Sequence, residues 1–230
     1  MRSIHLALFA EGPSDHRFLP TLLLRLTEEL CRSARETVEV WPEVVSLHSP
    51  DGSLKAGHNR TTRICDSALS ARQAWNLLFI HADGDSQPVE QYDQLVAPAI
   101  RALRAESRLA GSHRCIPVIP VRETESWMIA DFDALCSIFR RNLENDPSDF
   151  GLDFWTKSPR RIEMVEDPKA ILRAVARYGG RRSRADREIQ RRLPAIADRA
   201  RFSILRQLQA FTAVEEHLKT ALRDLRILEA

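Results

Sequence analysis

The chain has 230 residues, of which 43% are hydrophobic and 29% charged, so it can bury a substantial core within one globular domain. Its net charge of +2 is nearly balanced and does not by itself indicate a partner. The sequence shows no charged leader followed by an apolar core, and no run approaches the roughly 20 apolar residues of a membrane span. We therefore expect a cytoplasmic protein with no membrane partner.

From residue 2 to about residue 140, short apolar runs alternate with segments of helical period, which is typical of parallel α/β units. Turn residues predict a loop over 49–58. The predicted strands are 3–10, 38–47, 76–82 and 115–121, and the predicted helices are 14–35, 60–74, 88–107 and 125–140.

The strand signal stops after about residue 141, and a stretch rich in Asp, Asn, Ser and Pro follows over 142–159. Three helical segments are predicted beyond it, at 168–178, 184–198 and 202–227. We predict an α/β domain over residues 1–140 and a C-terminal helical cap over 141–230. The cysteines have neither C-x-x-C nor zinc-ligand spacing and are expected to be reduced core thiols, namely Cys31, Cys65, Cys115 and Cys136.

Acidic residues follow three of the four predicted strands. Glu11 comes after the first strand, Asp83 and Asp85 after the third, and Glu123 and Glu125 after the fourth. In an open parallel sheet, ligands bind in the crevice beyond the carboxyl ends of the strands, so these acids should converge there. Convergent carboxylates repel one another, and a bound cation relieves that repulsion. The pattern predicts a divalent-metal site.

Two short turns carry most of this signal. The sequence E-G-P-S-D at 11–15 has Gly and Pro forming a tight turn between a strand and a helix, which leaves Glu11 at the sheet edge. In D-G-D at 83–85, two carboxylates flank a glycine that lets the backbone bend, so both can reach one cation with oxygen ligands. The second turn is the more specific indication of metal.

Taken together, these motifs resemble the Toprim fold, in which a glutamate in an E-G-x-x-D-like turn acts with a later D-x-D to hold magnesium. E-T-E-S-W at 123–127, A-D at 130–131 and D-P-K at 167–169 resemble a bacterial family of Toprim-like proteins of unknown function, related to the OLD-type nucleases. The resemblance spans nearly the whole chain. It implies a Rossmann-like, mainly parallel sheet flanked by helices.

The resemblance also implies hydrolysis of DNA or RNA phosphodiester bonds with Mg²⁺ or Mn²⁺, often beside an ATPase partner in defence against phage. In a two-metal mechanism we assign Asp83 and Asp85 to the first ion and Glu11 to a bridging or general-base role. We assign Glu123 and Glu125 to the second ion. The resemblance makes Asp15 a candidate to support a ligand through a hydrogen bond.

Arginines in the predicted helical cap are candidates for binding phosphate, because the planar guanidinium can contact it at two points. We name Arg181, Arg182 and Arg184 as the nucleic-acid-binding residues, within a larger group that includes Arg160, Arg161, Arg187, Arg191 and Arg192. Asp186 and Glu188 interleave with them, so a solvated helix face is an equal alternative.

Each candidate also has a purely structural interpretation. Asp83 and Asp85 are common turn residues, and Glu123 and Glu125 suit the first turn of a helix. His16 and His81 flank the acids and could orient ligands, although a satisfied or exposed histidine is the commoner case. Trp127 is expected in the core.

Other classes of function remain open. A nucleotide-sugar glycosyltransferase also uses a D-x-D after a strand, but it gives no reason for the turn at Glu11. A haloacid-type phosphohydrolase needs an aspartate directly after the first strand, where this chain has Glu11 and Gly12. A non-catalytic subunit that binds metal or nucleic acid fits best among the alternatives. The apolar face of the C-terminal segment could pack on the core or on another chain in an oligomer.

Overall fold

The computed structural model describes residues 2–47, 59–109, 111–139, 159–177 and 182–229. Four strands run through this part of the chain: β1 (Arg2–Phe9), β2 (Val38–Ser46), β3 (Leu77–His81) and β4 (Arg114–Val118). The helices are α1 (Asp15–Cys31), α2 (Arg60–Ser70), α3 (Pro88–Gln91), α4 (Ala97–Ala105), α5 (Glu125–Ala130), α6 (Phe132–Ile138), α7 (Pro168–Arg177), α8 (Arg182–Arg199), α9 (Phe202–Leu205) and α10 (Gln209–Asp224). A π-helical turn, Tyr92–Val96, joins α3 to α4.

The four strands form one parallel sheet in the order β2-β1-β3-β4. Every residue of β3 is buried, because this central strand is covered on both faces. Leu6 of β1 pairs with Leu77 of β3, and Leu77 in turn pairs with Arg114 of β4. The predicted α/β class with a mainly parallel sheet is confirmed.

Alternate strand residues feed two separate hydrophobic cores, one on each face of the sheet. Leu6 and Phe79 contribute to the larger core, which includes residues of α1 and of the C-terminal helices. Ala7 and Leu78 contribute to the smaller core, which is closed by α2 and α4. Helices of the predicted cap therefore share a core with the α/β domain. The predicted boundary near residue 140 lies outside the described residues, as does the loop predicted over 49–58.

Besides the helix predicted at 88–107, which contains the π-helical turn, two predicted helices are each interrupted by a non-helical break. The segment predicted at 125–140 breaks at Asp131, whose carboxylate accepts a hydrogen bond from the Ala134 amide and also binds Arg201. The segment predicted at 202–227 breaks before α10, where the Glu163 carboxylate accepts hydrogen bonds from the first two amides of that helix. Both breaks depend on partners that are distant in sequence.

Among the residues that the structure describes, no helix combines the length and the apolar character needed to cross a bilayer. Cys31 and Cys136 are buried in the larger core, whereas Cys65 and Cys115 are half-buried at the smaller one. These positions agree with core thiols.

A candidate metal centre at the sheet edge

The strand order fixes where a site can form. The chain moves outward from β1 to β2 on one side and returns to β3 on the other, so β1 and β3 flank the point at which the connections diverge. The crevice beyond the carboxyl ends of such strands is where α/β proteins bind ligands. Five acids gather at this edge, and we call them the acidic crevice: Glu11, Asp15, Asp83, Glu123 and Glu125.

The turn after β1 is held by its own aspartate. The Gly12 amide donates a hydrogen bond to the Asp15 carboxylate at 3.0 Å, and Asp15 is buried as the first residue of α1. The neighbouring His16 is bonded to the Ala10 carbonyl at 3.3 Å and to the Ser46 hydroxyl at 3.1 Å. His16 therefore joins the ends of β1 and β2, which supports its structural interpretation.

The turn after β3 requires glycine for a reason other than a bend. A Cβ atom on Gly84 would lie 2.1 Å from the Pro120 carbonyl oxygen, so this backbone approach excludes any side chain. The Gly84 amide donates to the Arg122 carbonyl at 2.8 Å, which ties the turn to the segment after β4. Asp85 and Ser86 then adopt left-handed φ values of 45° and 69°. Such strained residues are typical of functional turns.

The two acids of the D-G-D turn occupy different environments. Asp83 is half-buried, and its Oδ1 atom is buried with no hydrogen-bond partner in the part of the chain that the structure describes. Asp85 is exposed, and the carboxylates that act most strongly on Asp83 belong instead to Asp15, Glu11 and Glu125. The structure thus brings Asp83 to Glu11 and Glu125 as predicted, and places Asp85 at the outer side of the turn.

Burial and mutual repulsion change the acidity of this cluster. Burial, followed by the charges of Asp15, Glu11 and Glu125, raises the pKa of Asp83 to about 7. Burial also raises the pKa of Glu125 to about 7, although the nearby Lys169 opposes the shift. Each carboxyl is therefore only partly ionised near neutral pH, and added positive charge nearby would favour its ionised form.

His81 lies beneath the acids at the end of β3. Its Nε2 is 2.9 Å from the Thr124 hydroxyl and 3.5 Å from Asp83 Oδ1, while Nδ1 is buried without a hydrogen bond and 3.9 Å from the Asp15 carboxylate. Burial lowers its pKa to about 4, so the imidazole is neutral. The sequence left the role of His81 open, and the structure places it where it can orient Asp83.

Two basic side chains of the protein form ion pairs with Glu11 and Glu123. Arg60 Nη1 lies 2.6 Å from the Glu11 carboxylate, and Lys169 Nζ lies 2.8 Å from the Glu123 carboxylate. Lys169 belongs to the D-P-K motif, but the sequence assigned no role to it. Arg60 lies in no recognisable sequence motif, so only the folded structure shows that it contacts Glu11.

The donor set can be compared with what a metal ion requires. Mg²⁺ and Mn²⁺ prefer carboxylate oxygens as ligands. The Oδ1 of Asp83, which has no hydrogen-bond partner among the described residues, and the raised pKa of Glu125 indicate that a nearby positive charge would stabilise both ionised carboxylates. Within the described ranges, however, no three His, Cys, Asp or Glu side chains are already arranged around one ion position. The residues fit a hard divalent cation by chemistry, and Glu11 and Glu123 are each already paired with a basic side chain of the protein.

Other predicted residues have structural roles or fall outside the description. Trp127 is fully buried and packs edge-on against Phe211, as expected of a core residue. Arg181 and the side chains of Arg182 and Arg184 lie outside the described residues. In the described part of α8, Arg191 and Arg192 both pair with Glu188, so their charge is partly neutralised.

An apolar cavity of about 590 Å³ lies on the other side of the segment after β4, between α3 and α10. Its walls include Tyr92, Val121, Met164 and Val214, and no member of the acidic crevice lines it. The acidic crevice and this apolar cavity are thus separate.

Fold and site together define the class: an α/β protein with a parallel sheet, whose central strands end in a crevice of partly buried carboxylates. Residues 10–184 match the family described as Domain of unknown function (DUF4276), and the chain belongs to this family. No curated protein and no solved structure matches the chain. The matched range contains all five acids of the acidic crevice together with Arg60 and Lys169.

Proposed function

We propose that this protein is a Mg²⁺- or Mn²⁺-dependent nuclease that hydrolyses phosphodiester bonds of DNA or RNA. The observation that carries the proposal is the buried, unpartnered Oδ1 of Asp83 beside three further carboxylates at the centre of a parallel sheet edge. Buried polar atoms are nearly always paired, so an orphaned carboxylate oxygen in a crevice indicates a missing ligand. A cation is the ligand that such a site lacks.

Asp83 and Glu125 would hold the metal, with Glu11 as a bridging ligand or general base and Glu123 and Asp85 as outer ligands. A bound ion would supply an activated water and neutralise charge on the phosphate. His81 fixes Asp83 from below, and Asp15 holds the turn that carries Glu11.

Lys169 is suited to contact the phosphate itself. Its side chain is 39% exposed, and its charge acts on Asp83 and Glu125 as well as on Glu123. An ammonium group on a flexible stem is a common phosphate binder. We assign Lys169 to the substrate and the carboxylates to the metal.

The choice of phosphodiester chemistry rests on the resemblance to Toprim-like and OLD-type nucleases, which is carried by the turns at 11–15 and 83–85 and by 123–127. A cytoplasmic location, an ATPase partner and a role in defence against phage belong to the same proposal. The polymer, the strand preference and the number of subunits are left to experiment.

A non-catalytic subunit that binds metal or nucleic acid is the second candidate. The observation that favours it is the pairing of Glu11 with Arg60 and of Glu123 with Lys169, which leaves the described acids short of an assembled three-ligand group. Such a subunit would bind manganese or nucleic acid and cleave neither polymer.

The test is cleavage of supercoiled plasmid and of a labelled single-stranded RNA by the purified chain with Mg²⁺ or Mn²⁺. Asp83→Asn removes one charge at nearly constant volume, and Asp93→Asn makes the same change at an exposed position outside the crevice. We expect the first variant to lose cleavage by at least about 10²-fold and the second to retain it. Equal activity of both variants would rule out the crevice as the active site, while inactive wild-type protein that still binds Mn²⁺ would favour the second candidate.

A further inference from the structure

The guanidinium of Arg60 is held on three sides. Its Nη1 donates to Glu11 at 2.6 Å, its Nη2 to the His81 carbonyl at 2.5 Å and its Nε to the Leu95 carbonyl at 3.2 Å. The Phe9 ring lies 5.5 Å below the guanidinium carbon. Only 16% of the side chain is exposed.

These three acceptors belong to separate elements. Glu11 lies in the turn after β1, His81 is the last residue of β3, and Leu95 belongs to the π-helical turn before α4. Turns of this kind are rare and frequently occur at functional sites. Arg60, at the start of α2, therefore links the ends of β1 and β3 to the π-helical turn before α4.

The two carbonyl contacts fix the orientation of Arg60, and the fixed guanidinium in turn restricts Glu11. The Glu11 side chain is 33% exposed, and Arg60 is the cation with which it forms an ion pair. Because the guanidinium is planar and its donors point in fixed directions, the contact favours one orientation of the Glu11 carboxylate, which a point charge at the same distance would not.

We propose that Arg60 is a positioning residue that holds the Glu11 carboxylate at the crevice in the orientation that the reaction requires. This inference rests on the proposed function. In this role Arg60 contacts neither metal nor substrate, because Nε, Nη1 and Nη2 each already donate to an acceptor of the protein. It acts on catalysis through Glu11 alone.

The experiment is a double-mutant cycle between Arg60→Gln and Glu11→Gln, with Arg60→Lys as the conservative variant. Arg63→Gln serves as the matched control, since Arg63 lies one turn further along α2. We expect Arg60→Gln to lower kcat about 10- to 100-fold with less than about a threefold change in KM for the nucleic acid. In the Glu11→Gln background it should cause no further loss, and Arg60→Lys should restore part of kcat.

Two results would overturn the inference. An equal loss in both backgrounds would make Arg60 a structural residue, and a gain in cleavage would make it a competitor of the metal for Glu11. A crystal structure of Arg60→Gln gives a readout that does not depend on activity: Glu11 should change orientation while α2 keeps its place. If wild-type protein is inactive but Glu11 moves as expected, the proposed function fails and the positioning contact stands. An unmoved Glu11 would rule out the contact itself.

Discussion

Buried carboxylates occur in two regions of this molecule, and their surroundings differ. One region is the set of helices α6 to α10, which we call the helical layer. There, Asp131 accepts hydrogen bonds from the Ala134 amide and from the backbone and guanidinium of Arg201. Glu215 in the same layer binds Arg206 and Lys219. In the acidic crevice, the buried Oδ1 of Asp83 has no hydrogen-bond partner among the described residues, and the nearest basic group is the His81 imidazole at 3.5 Å.

This difference separates acids that are paired within the fold from acids that are not. Burial acts to raise the pKa of Glu215, but the Arg206 and Lys219 contacts outweigh it and lower this pKa, whereas burial and repulsion together raise the pKa of Asp83 to about 7. A buried charge is costly unless it is paired. The helical layer supplies the partners from within the chain, whereas under the proposed function a bound cation would supply them in the crevice.

The largest effect on stability is expected at Asp131. Replacing it by Asn removes the charge that binds Arg201 while an amide oxygen can still cap α6, so the free energy of unfolding should fall by about 3 kcal/mol through the lost ion pair. Urea unfolding at neutral pH measures this. Asp83→Asn is the counterpart in the crevice and should leave the stability of the metal-free protein equal or higher. A loss of similar size in both variants would remove the contrast between the two regions.

Manganese should stabilise the crevice by a comparable amount. At a free concentration about 100 times Kd, a ligand that binds only the folded state adds about 2.7 kcal/mol to the free energy of unfolding. We expect this gain in the wild type and in Asp93→Asn, and its loss in Asp83→Asn. Calorimetry gives Kd, and thermal unfolding at matched concentrations gives the gain. A gain retained in Asp83→Asn would place the metal elsewhere.

Gly84→Ala tests the turn that carries Asp83. The new Cβ would meet two backbone carbonyl oxygens, at 2.1 Å and 2.5 Å, so the segment after β4 must move. Overpacking of this kind costs about 2 kcal/mol, and the displaced acids should weaken Mn²⁺ binding as well. Gly111→Ala is the control: at φ 84° with nothing within 4 Å, it adds backbone strain without a clash. A Gly84 variant with normal stability and affinity would show that the close approach is dispensable.

The smallest effect is the pH dependence of the metal-free protein. The pKa values of Asp83 and Glu125 rise from 3.8 and 4.5 to about 7 in the folded state, so folding takes up protons there and stability declines as the pH rises towards 7. The pKa of His81 falls from 6.5 to about 4 on folding, so His81 releases a proton below pH 6.5 and offsets the proton taken up by one of the two carboxyls. Because two carboxyls outweigh one imidazole, the net stability should decline with rising pH up to about pH 7.

Thermal unfolding in a chelator at about pH 5.5 and about pH 8 checks this dependence. The melting temperature of the wild type should be lower at the higher pH, and Asp83→Asn should show a flatter profile. Adding Mn²⁺ at the higher pH should restore the wild type alone. A melting temperature that rises over this range would contradict the raised pKa values.

Local sequence determined the elements of the fold. The apolar run over 77–80 became a strand buried on both faces, and the helices at 14–35, 60–74 and 168–178 were predicted to within a few residues. These patterns are local because hydrophobic periodicity and turn residues act over a few positions. The same patterns placed Glu11, Asp83 and Glu125 at strand ends, and parallel pairing then brought them together.

Only the tertiary structure decided how those acids are surrounded. The order β2-β1-β3-β4 is a choice among pairings that local sequence does not distinguish, and it sets β1 beside β3. Arg60 reaches Glu11 across 49 positions, and Arg201 reaches Asp131 across 70. The close approach at Gly84 likewise depends on the segment after β4. Whether a buried acid has a partner is a property of such long-range contacts, so the contrast between the helical layer and the acidic crevice appears only in the folded chain.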